Sequence, residues 1–223
     1  VKKMTRRYDP ADIPPTPDLR YESALWENGL SCVAGLDEAG RGAWAGPVAA
    51  GAVILPPDPA ILQRLPRVRD SKQMQASERA FWAVEIKTAA LAWGVGFASS
   101  QEIDMLGIVP ATRLAMLRAL EALRAAPEHL LIDALLLKET SLPQTALIKG
   151  DARSLSIAAA SVLAKTARDA FMTELDQTYP CYGFARHKGY GTAAHCAALS
   201  QHGPCPAHRF GFEPIRQSLS PAE

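Results

Sequence analysis

The residues best equipped for chemistry stand together in Gly35-Leu36-Asp37-Glu38-Ala39-Gly40-Arg41-Gly42, where two adjacent carboxylates, an arginine and three glycines share eight positions. Cys32-Val33-Ala34 precede them, and an uncharged stretch from Trp44 to Leu55 follows. Carboxylates stranded between apolar runs are costly to bury unless they are paired or bind a metal. Magnesium and manganese prefer hard oxygen ligands. The expected role of Asp37 and Glu38 is therefore to hold divalent ions where a nucleic acid is cut. Neighbouring strand residues point to opposite faces, so both acids reach one site only if the strand ends there. Gly40 and Gly42 permit that ending. Taken alone, the pair reads equally well as a solvated or salt-bridged strand end.

Two further acids shift that balance. Asp133 is the only charge in the run Leu130 to Leu137, and Asp151 follows Lys149-Gly150 just before a helical stretch. Asp151 alone would be a helix N-terminal charge; four acids on separate strands of one sheet favour a shared site. The same opening stretch nearly matches a phosphate-binding loop, G-x4-G-K-[ST]. Arg41 replaces the lysine, Gly42 replaces the magnesium-binding hydroxyl, and two acids inside the loop would repel phosphates, so that reading is set aside. Arg186-His187-Lys188-Gly189-Tyr190-Gly191-Thr192 is either an exposed turn or a nucleic-acid contact. In the second case Tyr190 stacks on a sugar or base, with His187 and Lys188 near phosphates. His195, Cys196, His202, Cys205 and His208 invite zinc, but their spacing matches no standard pattern.

The elements that must position these groups read as α/β. Ser31 to Asp37 is a buried strand, and Val48 to Leu55 is a second, antiparallel to it because the connection has hairpin length. A helix runs from a Ser77 cap to about Leu91, and a third strand from Trp93 to Ala98. Helical structure starts at Ser100. Pro110 opens a stronger helix to about Ala125, with Leu114, Leu117 and Leu120, or Met116, Leu120 and Leu123, as its apolar face. His129 to Leu137 is a strand with Asp133 in its middle, and Thr145 to Lys149 a fifth strand. Ser154 caps a helix to Thr178, and another helix lies near 193–200. Residues 1–22, with Lys2, Lys3, Arg6, Arg7 and four prolines, are expected to be a disordered lead. A catalytic domain over 23–180, a C-terminal extension over 181–216 packed on it, and a tail over 217–223 complete the expected division.

Bulk properties narrow the function. The chain has 223 residues, 48% hydrophobic and 21% charged, a soluble globular profile. A net charge of +1 excludes a strongly basic DNA-coating protein. Between Cys181 and Arg216, however, four cations face the single acid Glu213, a local charge suited to a polyanion. The longest run free of both charged residues and histidine, Gly42 to Pro57, falls short of the roughly 20 apolar residues of a membrane span. No signal pattern precedes it, and no C-x-x-C pair occurs among the four cysteines. A cytoplasmic protein with reduced thiols and no membrane partner is the expectation.

The blocks together resemble the type 2 ribonucleases H in their bacterial form, ribonuclease HII, from about Val33 to Pro214. They are the opening stretch with Ala45-Gly46-Pro47-Val48; Asp70-Ser71-Lys72; Ala111-Thr112 with Ala115-Met116; Ile132-Asp133; Lys149-Gly150-Asp151 through Ser156 to Ser161 and Ala164-Lys165; Tyr179-Pro180; His187 to Thr192; and His208-Arg209 with Phe212-x-Pro214. The resemblance implies a ribonuclease H-like mixed five-stranded sheet flanked by helices, with a helical C-terminal extension. It implies a metal-dependent phosphodiester hydrolase that uses magnesium or manganese, with two ions in the active complex. Its substrates would be the RNA strand of RNA–DNA hybrids and DNA nicked 5′ of an embedded ribonucleotide, leaving 3′-hydroxyl and 5′-phosphate ends. Carried over by position, Asp37, Glu38, Asp133 and Asp151 bind metal, Gly40, Arg41 and Gly42 read the ribose 2′-hydroxyl, and Tyr190 stacks at the RNA–DNA junction. Lys72 and Lys188 would contact phosphates, and the chain would act as a monomer. Asp133-Ala134 departs from the family's usual Asp-Gly. The alternative is a nuclease or strand-transfer enzyme of the same sheet class with no ribonucleotide requirement.

Overall fold

The computed structural model describes residues 13–219. Strand β1 (Val33–Ala39) is central, and β2 (Val48–Ile54) lies antiparallel beside it with Asp37 opposite Gly51. Strand β3 (Ala92–Ala98) extends that side, antiparallel to β2. On the other side β4 (His129–Asp133) runs parallel to β1, with Leu36 level with Ile132, and β5 (Gln144–Leu147) runs parallel to β4. The order β3-β2-β1-β4-β5 is the mixed five-stranded sheet that the resemblance implied.

Helices cover both faces. They are α1 (Arg20–Trp26), α2 (Ile61–Arg64), α3 (Ala76–Ala89), α4 (Ser100–Leu106), α5 (Ile108–Glu121), α6 (Leu155–Thr178), α7 (Phe184–His187), α8 (Ala193–His202) and α9 (Glu213–Leu219). Helix α6 lies on one face of the sheet, and its residues from Leu155 through Ala164 are all buried. Its backbone comes so near the strands that a Cβ on Gly35 would stand 2.2 Å from the Ser156 carbonyl carbon, and one on Gly51 2.3 Å from the Ala160 oxygen. With α3, α6 buries Val53, Leu55, Trp82, Ile86 and Val162. On the opposite face, Ala34, Leu36, Ala52, Ile54, Leu130 and Ile132 pack against α5.

Several expected boundaries move, each for a physical reason. The buried face of α5 is Ala111, Thr112, Ala115, Met116 and Ala119; the leucines at 114, 117 and 120 are only partly buried. Small residues win because α5 sits directly on β3, where a Cβ on Gly96 would meet the Ala115 oxygen at 2.3 Å. Strand β4 stops at Asp133 rather than Leu137, since Ala134 has φ of 51° and turns the chain out of the sheet. Helix α3 begins at Ala76 with no side-chain cap, one residue before the expected Ser77 cap.

Residues 18–22 are also not part of a loose lead. Asp18 bridges to Ser154, Leu19 is buried, and the buried Glu22 carboxylate accepts from Ser154 Oγ at 2.6 Å, Ser156 N at 2.9 Å and Ser156 Oγ at 2.7 Å. Residues 1–12 of that expected lead lie outside the described residues. At the other end α9 reaches Leu219, so 217–219 are helical where a tail was expected. The C-terminal segment packs Tyr182, Phe184, Leu199 and Ile215 against Ala45 and Met172.

Candidate active site

The site begins where β4 ends beside β1. Because Leu36 pairs with Ile132, Asp133 at the C-terminal end of β4 stands next to Asp37. Strand β1 does not end at the acid pair as expected: it stays paired with β2 through Glu38 and Ala39. Asp37 is 2% exposed, and its Oδ2 has no hydrogen-bond partner among the described residues; neither has Glu38 Oε2. The other Glu38 oxygen, Oε1, accepts from Arg41 Nη1 at 3.0 Å. Asp133 Oδ1 accepts from the Gly150 amide at 2.7 Å. That bond fixes the 3-10 turn Gly150–Ala152 and places the buried Asp151 beside the end of β4. Ser154 Oγ then accepts from Ile157 N at 3.3 Å and starts α6.

The charges are poorly compensated. Burial pushes the Asp37 carboxyl well above the usual range, and Glu38, Asp133 and Asp151 add to the shift. Burial also raises Asp133, and it pushes Asp151 up to about 6 with help from Asp70 and Asp133. Lys72 Nζ stands 3.7 Å from Asp151 Oδ2 and 4.0 Å from Asp70 Oδ1. Burial pulls its pKa down, but Asp37, Asp70, Asp151 and Asp133 outweigh this and raise it. One exposed lysine faces these four acids, while Glu38 is paired with Arg41.

An all-oxygen donor set with two unpartnered buried oxygens fits magnesium or manganese. Among the described residues no three His, Cys, Asp or Glu side chains form a ready-made metal cage. Magnesium does not require one: it keeps several waters and takes one or two carboxylates plus substrate phosphate oxygens.

The remaining expected residues divide into those beside the acids and those elsewhere. A cleft of about 420 Å³ brings Glu38, Gly40, Arg41, Lys72 and Tyr190 to one surface, together with Arg79 and Lys165. Another, of about 480 Å³, joins Lys72 to Asp70, Asp133 and Asp151. Gly40 has φ of 92°, and a Cβ there would collide with the Arg168 side chain; Gly42 faces open space. Tyr190 presents its ring to Arg168 and Lys165, with Arg168 Cζ 5.4 Å from the ring centre. The Lys188 ammonium is not brought to the acids. It donates to Asp169 O at 3.2 Å and Thr173 Oγ1 at 2.8 Å on α6. His187 is buried, its Nε2 paired with Tyr182 O at 2.7 Å. His195 Nε2 meets His208 Nε2 at 3.0 Å, and Cys205 Sγ lies 3.3 Å from His208 Nδ1, while Cys196 is exposed. These rings pack with Tyr182 and Phe184 under the Tyr190 loop, whose carbonyl lies 3.0 Å from His195 Nδ1.

Sequence reasoning missed Asp70, although Asp70-Ser71-Lys72 was among the quoted blocks. Its proximity to Asp151 depends on a loop that no pattern places. Arg168 was not singled out, and Arg209, counted among the cations suited to a polyanion, is instead fully buried; the bonds of both go to backbone carbonyls and leave no pairing signal.

Residues 34–214 match the family described as ribonuclease HII. The chain is 53% identical over 206 residues to a ribonuclease HII of Chloroflexus aurantiacus, covering 91% of this chain and 96% of the relative. It is also 53% identical over 201 residues to one of Anaeromyxobacter sp., covering 90% of this chain and 62% of that longer protein. The solved ribonuclease H2 of Pyrococcus horikoshii OT3 is similar with a TM-score of 0.68 and 28% identity, covering 83% of this chain and 96% of that one.

Proposed function

The chain belongs to the ribonuclease HII family, and from that premise we propose that its carboxylate cluster hydrolyses the RNA strand of RNA–DNA hybrids. The family is one of metal-dependent endoribonucleases acting on such hybrids. In this reading the enzyme also nicks DNA 5′ of a single embedded ribonucleotide and leaves 3′-hydroxyl and 5′-phosphate ends. It would serve ribonucleotide removal and primer RNA removal in DNA repair and replication.

Asp37, Glu38, Asp133 and Asp151 would hold two magnesium or manganese ions. Such ions supply an activated water and stabilise charge on the phosphate and the leaving oxygen. The protein's own groups do the rest. Lys72 offers the phosphate a cation at the rim of the acids. Glu38 holds the Arg41 guanidinium through their 3.0 Å bond, which keeps it at the cleft. The backbone of Gly40 to Gly42 meets the 2′-hydroxyl, the group that distinguishes RNA from DNA. Gly42 suits this because nothing stands within 4 Å of where its side chain would be. Tyr190, half-exposed in the same cleft, stacks on the sugar or base at the junction.

The observation that carries the reading is the buried Asp37 carboxylate on the central strand, one oxygen unpartnered and three more acids around it. In this reading the chain acts as a monomer. Among the described residues no helix is long and apolar enough to cross a membrane, in keeping with a cytoplasmic place of action. Cleavage mapping on a DNA duplex carrying one ribonucleotide tests the proposal. The expected product is a single nick 5′ of the ribose, with none in the all-deoxy duplex. Equal cutting of both would favour a nuclease with no ribonucleotide requirement.

A further inference from the structure

The loop from Gly40 to Pro47 turns its carbonyls inward onto two buried guanidiniums. Arg209, from the C-terminal segment and with 0% exposure, donates from Nη2 to Gly40 O at 2.7 Å, from Nη1 to Arg41 O at 2.8 Å and from Nε to Gly46 O at 3.0 Å. Arg168 donates likewise to Ala45 O at 3.1 Å and Pro47 O at 2.8 Å. Among the described residues no carboxylate forms an ion pair with Arg209. Its own position is fixed from three sides. The Arg209 amide donates to Trp44 O at 2.8 Å, its guanidinium lies 5.2 Å from the Phe212 ring centre, and Asp104 accepts from the Phe210 and Gly211 amides at 2.9 and 2.8 Å.

In a trans peptide the N–H points opposite to the C=O of the same unit, and no peptide bond here is cis. The carbonyl of Gly40 shares its peptide unit with the Arg41 amide, and the carbonyl of Arg41 with the Gly42 amide. Drawing both oxygens onto one guanidinium therefore aims both amides away from it. We propose that Arg209 is a positioning residue for ribose specificity, which aims the Arg41 and Gly42 amides at the substrate by holding the two carbonyls behind them. This rests on the reading of Gly40 to Gly42 as the ribose reader. A planar fork with several N–H groups can hold three carbonyls at once; a lysine ammonium is a point charge that cannot reproduce that arrangement.

The test is equilibrium binding, by fluorescence anisotropy with magnesium, of duplexes with one ribonucleotide and with none. The Asp37→Asn background keeps the duplex uncut. Arg209→Lys and Arg209→Gln should each reduce the ratio of the two affinities at least fivefold, through weaker binding of the ribose-containing duplex alone. Affinity for the all-deoxy duplex should stay within about twofold, because phosphate contacts are untouched. Ile86→Ala, which opens a cavity under α3, should lower Tm and leave the ratio unchanged. A folded Arg209 variant that keeps the ratio overturns the proposal. So does unfolding of both variants, since Arg209 is then a scaffold residue. If the unaltered loop shows no ribose preference, the ribose-reader reading itself fails, which is a different result.

Discussion

At the scale of residues, the metal-free site is a source of instability. Asp37, Asp133 and Asp151 all have folded-state pKa values above the ordinary carboxylate value. A carboxyl shifted that way binds its proton more tightly when folded. Stability is then highest below the unfolded pKa and falls as pH rises through the folded one. For Asp151 the window runs from 3.8 to about 6. Thermal unfolding in chelator should therefore show Tm falling as pH rises across that window, and magnesium or manganese at neutral pH should restore it. Asp37→Asn should raise the Tm of the metal-free protein and shrink the metal-induced rise. A lower Tm for that variant in chelator would contradict the electrostatic description. Ala134 carries a separate strain, its φ of 51° being a conformation that suits glycine. Ala134→Gly should stabilise by about 0.5–1 kcal/mol in urea unfolding, a left-handed alanine's cost less glycine's greater chain entropy.

At the scale of elements, the acids are placed by two strands and one helix start. Ser154 serves two purposes: its Oγ caps α6, and it donates to the buried Glu22 of α1. Ser154→Ala should cost about 1–2 kcal/mol, from the lost cap and a buried carboxylate short of one donor. Urea unfolding measures it. The strands, their antiparallel hairpin and the Ser154 cap were legible in the sequence because apolar runs, connection length and capping residues are local signals. The end of β4 was not. Leu135-Leu136-Leu137 continue the apolar pattern, and only the positive φ at Ala134 removes them from the sheet. The small-residue face of α5 was hidden too, since hydrophobic periodicity favours leucines while close contact with Gly96 selects alanines. Asp133 stands beside Asp37, and its place at the end of β4 follows from the register with β1.

At the scale of the whole molecule, the C-terminal segment completes the site rather than decorating it. Gly189 O accepts from Trp44 N at 2.8 Å and Ala207 O from Gly46 N at 2.8 Å, so the extension is hydrogen-bonded along the loop that follows β1. It carries Tyr190 into the cleft and Arg209 beneath the glycines. Tyr190→Ala should therefore cut activity on a single embedded ribonucleotide by tenfold or more, consistent with about 1–3 kcal/mol per stacked base. The loss on long hybrids should be smaller, because many registers place a ribose in the site. Equal losses on the two substrates would remove its junction role. The four cations of this segment were visible in the sequence; the burial of Arg209 among them, and its attachment to residues some 160 positions away, such as Gly46, were not.

The central claim is that Asp37 and its neighbours hold the divalent ions that cutting requires. Its most direct test is the initial cleavage rate of a one-ribonucleotide duplex as magnesium or manganese is titrated, for the wild-type protein and for Asp37→Asn. The wild-type rate should be nil in excess chelator and rise with metal to saturation, while Asp37→Asn stays near zero throughout despite a native fold. A rate that persists in chelator, or near-normal cutting by Asp37→Asn, would contradict it.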